Sequence, residues 1–231
     1  MPEWFQKIAP NVVTYWDRFL TSCEATLQMF LIAGNISFVI GLCLGTLLTV
    51  WKNDGIRPRK IPYTVLNAVI NFFRAIPFLI LLIFLIPFTR ALVGTAIGVT
   101  GAIVPLIFGT VPFFTRQVET VLAGVDPGKV EAARSMGTGT FGIIFRVYWH
   151  EAVPGLIRVT VITAISLIGL TTMAGAVGAG GIGSFAVNYG QSLHYQDIVN
   201  VCVIVLLLAV FLLQTLGNWL AKKTTNRKLF G

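Results

Sequence analysis

Long apolar runs, separated by short basic segments, make up most of this chain of 231 residues. A helix needs about 20 mostly apolar residues to cross a bilayer, and five of the runs reach that length. The predicted membrane spans are Ala25–Trp51, Ile61–Thr89, Ala91–Thr115, Val159–Ala179 and Ile198–Ala221. The pattern therefore predicts an all-α, polytopic membrane protein with five transmembrane helices in a single domain over residues 1–231.

The second run is longer than a bilayer requires. As a helix, its 29 residues would extend about 43 Å, against a hydrocarbon core of about 30 Å. We expect Arg74, which lies inside this run, at the cytoplasmic interface; a functional position within the bilayer is the alternative. Pro77 and Pro87 each remove a backbone donor, so we expect both to bend the helix. Such bends are typical of helices that line a pathway.

Basic residues are concentrated on one side of the predicted membrane. The loop after the first span, the segment 116–158 and the C-terminal tail carry 13 of the 17 Lys and Arg residues. The opposite side carries only Lys7, Arg18 and Arg90. Because cytoplasmic loops are enriched in Lys and Arg, the N-terminus is predicted outside and the C-terminus in the cytoplasm. The same distribution explains the net charge of +8 without a nucleic-acid partner.

Composition supports the membrane class. Hydrophobic residues make up 55% of the chain and charged residues 11%, whereas soluble domains carry about 25% charge. The mean hydropathy is +0.82. Cys23, Cys43 and Cys202 are far apart and lack metal-ligand spacing, so we expect no disulfide, metal or cofactor.

A glycine-rich stretch, "GAVGAGGIG", contains G-x-G-x-x-G at Gly178, Gly180 and Gly183. A dinucleotide site needs a strand before this motif and an acidic residue about 20 residues after it. Here an apolar run precedes it, and the one acid in reach, Asp197, opens another apolar run. Close helix packing in lipid explains the small residues better; they are Gly169, Ala174, Gly175, Gly178 and Ala179. We expect Gly180 and Gly181 to end helical geometry near the outer surface.

The segment between the third and fourth spans predicts two short helices. "GVDPGKV" lacks the spacing of a phosphate-binding loop and has Val130 where that loop needs Ser or Thr. Asp126 and Pro127 are instead typical of a helix start, and Gly137 is typical of a helix end. We expect Thr140 to cap a second short helix, which Pro154 ends before the fourth span.

"EAARSMG", followed at a distance by "EAVPGLI", resembles the EAA loop of permease subunits of type I ABC importers. "NFFRAIPFLILLIFLIPFTR", "VGTAIG" and "AVGAGGIG" resemble the methionine-type subfamily of these permeases. The resemblance implies that the EAA loop, about 120–155, forms coupling helices that dock on a separate ATPase subunit. The matching positions are Glu131, Ala132, Ala133 and Gly137. Many family members have Leu-Pro before the second Glu, where this chain has Trp149 and His150.

The resemblance further implies a homodimer in a bacterial cytoplasmic membrane, with two ATPase subunits that bind ATP and an extracytoplasmic substrate-binding lipoprotein. The expected substrate is an amino acid, with methionine first, and the chain itself would be a translocation subunit without a catalytic site. Met173 lies in the span that lines the pathway; we expect it to act as a gate, and ordinary core packing is the alternative. An ion-coupled carrier or channel is the alternative function. It usually needs acids within the membrane, and the five runs contain no Asp or Glu.

Overall fold

The computed structural model describes residues 3–229, with side chains from residue 6 to residue 225. All regular elements within this range are helical, which confirms the all-α prediction. They are α1 (Glu3–Ile8), α2 (Pro10–Thr14), α3 (Trp16–Trp51), α4 (Lys60–Ala75), α5 (Phe78–Phe84), α6 (Ile86–Val93), α7 (Gly98–Ala123), α8 (Pro127–Ser135), α9 (Thr140–Ile143), α10 (His150–Ala174), α11 (Gly181–Phe185) and α12 (Gln196–Leu229). Three π-helical segments accompany them, at Ile144–Trp149, Gly175–Ala179 and Ala186–Gln191.

Four helices in the described part of the chain are long and apolar enough to cross a membrane: Trp16–Trp51, Gly98–Ala123, Thr140–Ala179 and Gln196–Thr225. A fifth span results if α4 and α5 together count as one broken span, bent by 104°. The predicted number of five spans agrees with this upper count. The first span begins earlier than predicted, because α3 extends nine residues to the N-terminal side of Ala25.

The second predicted span, Ile61–Thr89, is not one helix. Ile76 adopts an extended conformation between α4 and α5, as expected of a residue that precedes proline. A second break falls at Leu85, and Pro87 lies in the first turn of α6. The predicted bend at Pro77 is therefore confirmed, and the helix is also interrupted just before Pro87. Arg74 lies in the last turn of α4 and is exposed.

The third predicted span, Ala91–Thr115, is shifted along the chain in the structure. Gly94 and Gly98 both have positive φ, 80° and 75°, and a left-handed glycine typically ends a helix. The chain therefore turns between α6 and α7, and the membrane helix begins at Gly98 and continues to Ala123. Apolar composition alone does not reveal this turn.

The prediction of a separate second short helix in the loop is also wrong. Residues 140–179 form one helix of 40 residues, in which the fourth span is the second part. Gly139, not Thr140, occupies the N-cap position. Pro154 lies inside α10 and does not end it. A proline inside a helix removes one hydrogen bond and bends the helix, at a cost of about 3 kcal/mol, but neighbouring segments can absorb that cost.

Residues of the chain group into two compact units. The first unit comprises Met1–Asn35, Pro77–Phe108 and Ala164–Leu213. The second comprises Ile36–Ile76, Gly109–Thr163 and Gln214–Gly231. A single permease domain over residues 1–231 stays a prediction.

The first unit contains a helical hairpin where the sequence predicted only an end to helical geometry. Gly178, inside the π-helical segment that follows α10, has φ of 106°, and Gly180 and Gly181, just after that segment, have φ of 81° and 80°. The expected departure from helical geometry at Gly180 and Gly181 is confirmed, but the chain then enters α11. A Cβ at Gly183 would lie 2.1 Å from the carbonyl oxygen of Thr172, so the hairpin contacts α10 directly.

Within this chain, only some of the predicted small residues make close backbone contacts. A Cβ at Gly175 would lie 2.6 Å from the carbonyl oxygen of Gly180, whereas a Cβ at Gly169 or Gly178 would meet nothing within 4 Å. Close approach is made by Gly175 and Gly183, where the chain folds back on itself. The dinucleotide interpretation is excluded by the local fold, since a helix rather than a strand precedes the motif.

The N-terminal helices α1 and α2 also belong to the first unit. The backbone N–H and the Nδ2 of Asn11 donate to the two carboxylate oxygens of Asp197, at 2.9 and 3.0 Å. Ala9 and Val12 are buried with Phe19 in one apolar cluster. The segment before the first predicted span is thus tied to the start of α12.

The second unit has its core around the end of α7 and the start of α10. The buried residues of this core, called here the α8 core, are Phe114, Val118, Leu122, Val130, Ala133, Ile143, Tyr148, Ala152 and Val159. Leu42 and Ile56 pack against it. The α8 core therefore supports the buried face of α8, and it also contacts α3 and the turn that follows α3.

Candidate functional site

Helix α8 is a helix of nine residues with sharply defined ends. Asp126 caps its start: Oδ1 accepts a hydrogen bond from the N–H of Gly128 at 2.8 Å, and Pro127 occupies the first turn. Gly137 has φ of 78°. The predicted N-cap, the proline at the start and the left-handed glycine at the end are all confirmed.

The end of α8 forms a Schellman motif. The N–H of Gly137 donates to the carbonyl of Arg134 at 2.8 Å, and the N–H of Thr138 donates to the carbonyl of Ala133 at 3.0 Å. These two bonds satisfy carbonyls that the last turn of a helix leaves unpaired, and they require a left-handed residue after the cap. Gly137 therefore sets the angle at which the chain leaves α8.

The two faces of α8 differ. Glu131 and Ala132 are exposed, whereas Val130 and Ala133 are 9% and 5% exposed and lie in the α8 core. Of the two motif alanines, only Ala132 is on the outer face. Ala133 packs against its own unit and supports the helix, so it is not placed to enter a partner's groove.

Two polar contacts join α8 to other parts of the second unit. Lys129 Nζ lies 2.8 Å from a carboxylate oxygen of Glu151 in the first turn of α10, and this hydrogen bond raises the pKa of Lys129. Arg134 Nη2 donates to the carbonyl of Ile56 and, at 3.4 Å, to that of Gly55. Sequence reasoning missed both contacts because the partners lie far away along the chain.

Cavities adjoin α8 and the turn after it in the second unit, and two of them bear on its outer face. One, of about 640 Å³, lies between α8 and the turn after α3, and is lined by residues that include Lys52, Glu131 and Arg134. The other, of about 450 Å³, follows Gly137 and is lined partly by Met136 and Phe141. These two apolar side chains are 78% and 76% exposed. The outer face of α8 thus continues into an exposed apolar surface.

Met173 lies near the end of α10 in the first unit, far along the chain from α8. Its side chain is 54% exposed, while the next residue, Ala174, is fully buried. Val177, four residues on, is 47% exposed. Within this chain Met173 is therefore not a core residue, and its role as a gate stays a prediction.

Arg116 on α7 forms a polar cluster that the sequence did not suggest. Its guanidinium pairs with the buried carboxylate of Glu119 and donates to the side-chain oxygens of Asn67 and Asn71 on α4, the latter at 2.9 Å. The spacing of the two asparagines, one helical turn apart, is the only signal in the sequence. The cluster ties α4 to the end of α7.

Comparison with known proteins agrees with these features. The model of a family described as "Binding-protein-dependent transport system inner membrane component" matches residues 38–228. A "Probable D-methionine transport system permease protein MetI" of Vibrio cholerae serotype O1 is 38% identical over 222 residues, covering 94% of this chain and 99% of that protein. A "Methionine import system permease protein MetP" of Bacillus subtilis is 43% identical over 170 residues, 74% of each chain.

Solved structures of a methionine ABC transporter also match this chain. A chain of the inward-facing MetNI methionine ABC transporter matches with a TM-score of 0.85 and 38% identity, covering 97% of this chain and 99% of that one. A second crystal form of that transporter gives a TM-score of 0.88 at 39% identity, covering 91% and 97%.

The helical fold, the apolar spans and the short exposed helix between them define a membrane-embedded transport component. More specifically, the chain belongs to the binding-protein-dependent transport system inner membrane component family. It is a multi-pass permease of the bacterial inner membrane.

Proposed function

We propose that this chain is the membrane-spanning subunit of an ATP-driven ABC importer that takes up methionine. Two copies form the translocation unit, two ATPase subunits bind to its cytoplasmic side, and a substrate-binding lipoprotein delivers methionine from outside. The relatives named as D-methionine and methionine permeases support the choice of substrate.

The observation that carries the proposal is the outer face of α8. A short helix between two membrane spans is capped at both ends, is supported from inside by Val130 and Ala133, and leaves Glu131 and Ala132 uncovered. A rigid helix of this kind transmits a displacement because its ends do not fray. Glu131 supplies a charge for a basic group on the ATPase, and Ala132 permits close approach.

In this proposal, transport proceeds by alternating access. ATP draws the two ATPase subunits together, α8 follows them, and the helices attached to α8 change the side on which the pathway is open. The chain contributes no bond chemistry, since ATP is hydrolysed by the partner. The N-terminus lies outside and the C-terminus in the cytoplasm, so that α8 faces the ATPase.

Met173 acts as the gate in this proposal. Its half-exposed thioether on the surface of one chain is available to meet the same residue of a second copy across a two-fold axis. A flexible, polarisable side chain can close such a path without placing a charge in it. Glu119, a buried acid near the end of the membrane helix α7, is paired with Arg116, which leaves it poorly suited to ion coupling.

Copurification tests the proposal. The tagged chain is expected to retain an ATPase subunit in detergent, and Glu131→Arg is expected to lose it because the charge in the contact is reversed. Asp17→Arg is the matched control: it makes the same charge change at an exposed acid at the other end of the chain. Retention of the ATPase by Glu131→Arg, or its loss in both variants, would contradict the assigned contact.

A further inference from the structure

Helix α8 is connected to two different membrane helices; apolar packing reaches α3 through Leu42 and Ile56, and the hydrogen bonds from α8 to the turn after α3 come from one side chain. Lys129 and the buried residues Val130 and Ala133 connect α8 to the start of α10. Arg134, in the last turn of α8, reaches the carbonyls of Gly55 and Ile56 instead. Among the residues that the structure describes, no other hydrogen bond joins α8 to α3 or to the turn that follows it.

The turn that accepts the hydrogen bonds of Arg134 is itself hydrogen-bonded to the end of α3. The N–H of Gly55 donates to the carbonyl of Lys52 at 2.8 Å, that of Arg57 to Val50 at 3.0 Å, and that of Arg59 to Trp51 at 3.0 Å. The chain thus folds back onto the last turn of α3.

Close backbone packing also fixes this turn. A Cβ at Gly55 would lie 2.5 Å from the carbonyl oxygens of both Thr49 and Val50, so only glycine fits there. Ile56 packs against the α8 core on the other side. The two carbonyls that accept from Arg134 are therefore held in place, and a displacement of Arg134 moves the end of α3 with it.

The chemistry of an arginine side chain suits a firm contact between α8 and the turn after α3. A guanidinium holds its donors in a planar fork and stays charged at all accessible pH values. Hydrogen bonds from a charged donor are about twice as strong as neutral ones. Because the acceptors are backbone carbonyls, the contact does not depend on the side chains of the turn.

We propose that Arg134 is a positioning residue that couples α8 to α3, so that motion of the ATPase reaches α3 as well as α10. The inference rests on the proposed function of α8. Arg134 acts through the turn 52–59, and Glu131 and Ala132 remain the residues that meet the ATPase. Loss of Arg134 leaves the ATPase bound and active but weakens the transmission of its motion to α3, which then depends on the apolar packing of Leu42 and Ile56 and on the hydrogen bond from Trp149 to Thr46.

Transport by the reconstituted complex tests this inference. Arg134→Ala is expected to retain the ATPase subunit and its ATP hydrolysis, while the methionine transported per ATP falls about tenfold, the factor that one charge-assisted hydrogen bond is worth. Arg134→Lys keeps a cation that reaches one carbonyl, so we expect an intermediate ratio. Arg59→Ala, which removes an exposed cation from the same turn, is expected to behave like the unmodified chain.

Three results would overturn the inference. The first is an unchanged ratio of methionine transported to ATP hydrolysed in Arg134→Ala, and the second is an equal fall of this ratio in Arg59→Ala. The third is loss of the ATPase subunit from Arg134→Ala, because Arg134 would then be part of the docking contact.

Hydrogen exchange of the permease alone provides a second measurement. Arg134→Ala should speed exchange in the turn 52–59 and in the last turn of α8, and unchanged exchange would contradict the coupling. If the unmodified chain binds no ATPase, the proposed function fails while this exchange result still decides the contact.

Discussion

The end of α8 offers the sharpest quantitative prediction, because two nearby and equally uncrowded glycines differ in the sign of φ. A Cβ at Gly137 or at Gly139 would meet nothing within 4 Å, so neither position is crowded. Gly137 has φ of 78°, whereas Gly139 has φ of −68°. Alanine at the two positions therefore separates backbone strain from every steric effect.

The expected cost follows from the backbone geometry. A left-handed conformation costs a residue with a Cβ about 1–2 kcal/mol, and asparagine tolerates it better than alanine. Gly137→Ala should therefore open the Schellman motif and disfavour the docking geometry of α8 by about 5- to 30-fold. Gly137→Asn should have a smaller effect. Gly139→Ala changes the N-cap residue of the following helix α9 but strains no backbone in α8, so its effect on docking should be small.

Titration of the ATPase subunit onto the permease in lipid nanodiscs measures this effect. We expect the Kd to rise in the order unmodified chain, Gly137→Asn, Gly137→Ala, with Gly139→Ala close to the unmodified chain. Equal Kd values for Gly137→Ala and the unmodified chain would refute the reasoning, since the strain would then have no effect on docking. Equal weakening by both alanine variants would show that φ is not the cause.

Three further predictions concern the first unit. Gly183→Ala should lower the melting temperature in detergent, because its Cβ would meet a backbone carbonyl at 2.1 Å, whereas Gly169→Ala, in open space, should not; equal melting temperatures would contradict the tight hairpin. Thr26→Val should destabilise the unit by about 1–3 kcal/mol, because its hydroxyl accepts the N–H at the start of α11. Thr21→Val, whose hydroxyl bonds only within its own helix, is the control, and a similar loss there would refute that assignment. Met173→Ala should raise the ATP hydrolysed per methionine transported while Met173→Leu should not, and unchanged coupling in the alanine variant would exclude the gate.

Local signals in the sequence were sufficient for the ends of α8. Asp126, Pro127 and Gly137 act on their immediate neighbours through caps and backbone conformation, and each took the predicted role. The bend at Pro77 was also predicted from a local property, since proline removes a backbone donor from the helix. Such features depend on a few consecutive residues and are visible without the fold.

Features that depend on distant residues could not be predicted. The contact of Arg134 with the turn after α3 joins residues 78 and 79 positions apart, and no pattern in either segment indicates it. The burial of Ala133 similarly depends on distant residues of the same apolar cluster, among them Ile143 and Tyr148.

Helix limits were wrong where composition and local rules conflicted with packing. The third span was predicted to begin at Ala91 because the sequence there is apolar, but left-handed Gly94 and Gly98 place a turn in that region. Pro154 was predicted to end a helix, yet the helix continues through it. Apolar composition predicts that a segment is buried or lies in lipid, but not where its helix begins.

Uptake of labelled methionine by proteoliposomes tests the central claim most directly. The permease is reconstituted with its ATPase subunit and its substrate-binding protein, with ATP on the ATPase side. The account predicts uptake that requires ATP and the ATPase subunit and that is lost in Glu131→Arg. Uptake by the permease alone, driven by a proton or sodium gradient and unaffected by Glu131→Arg, would contradict it.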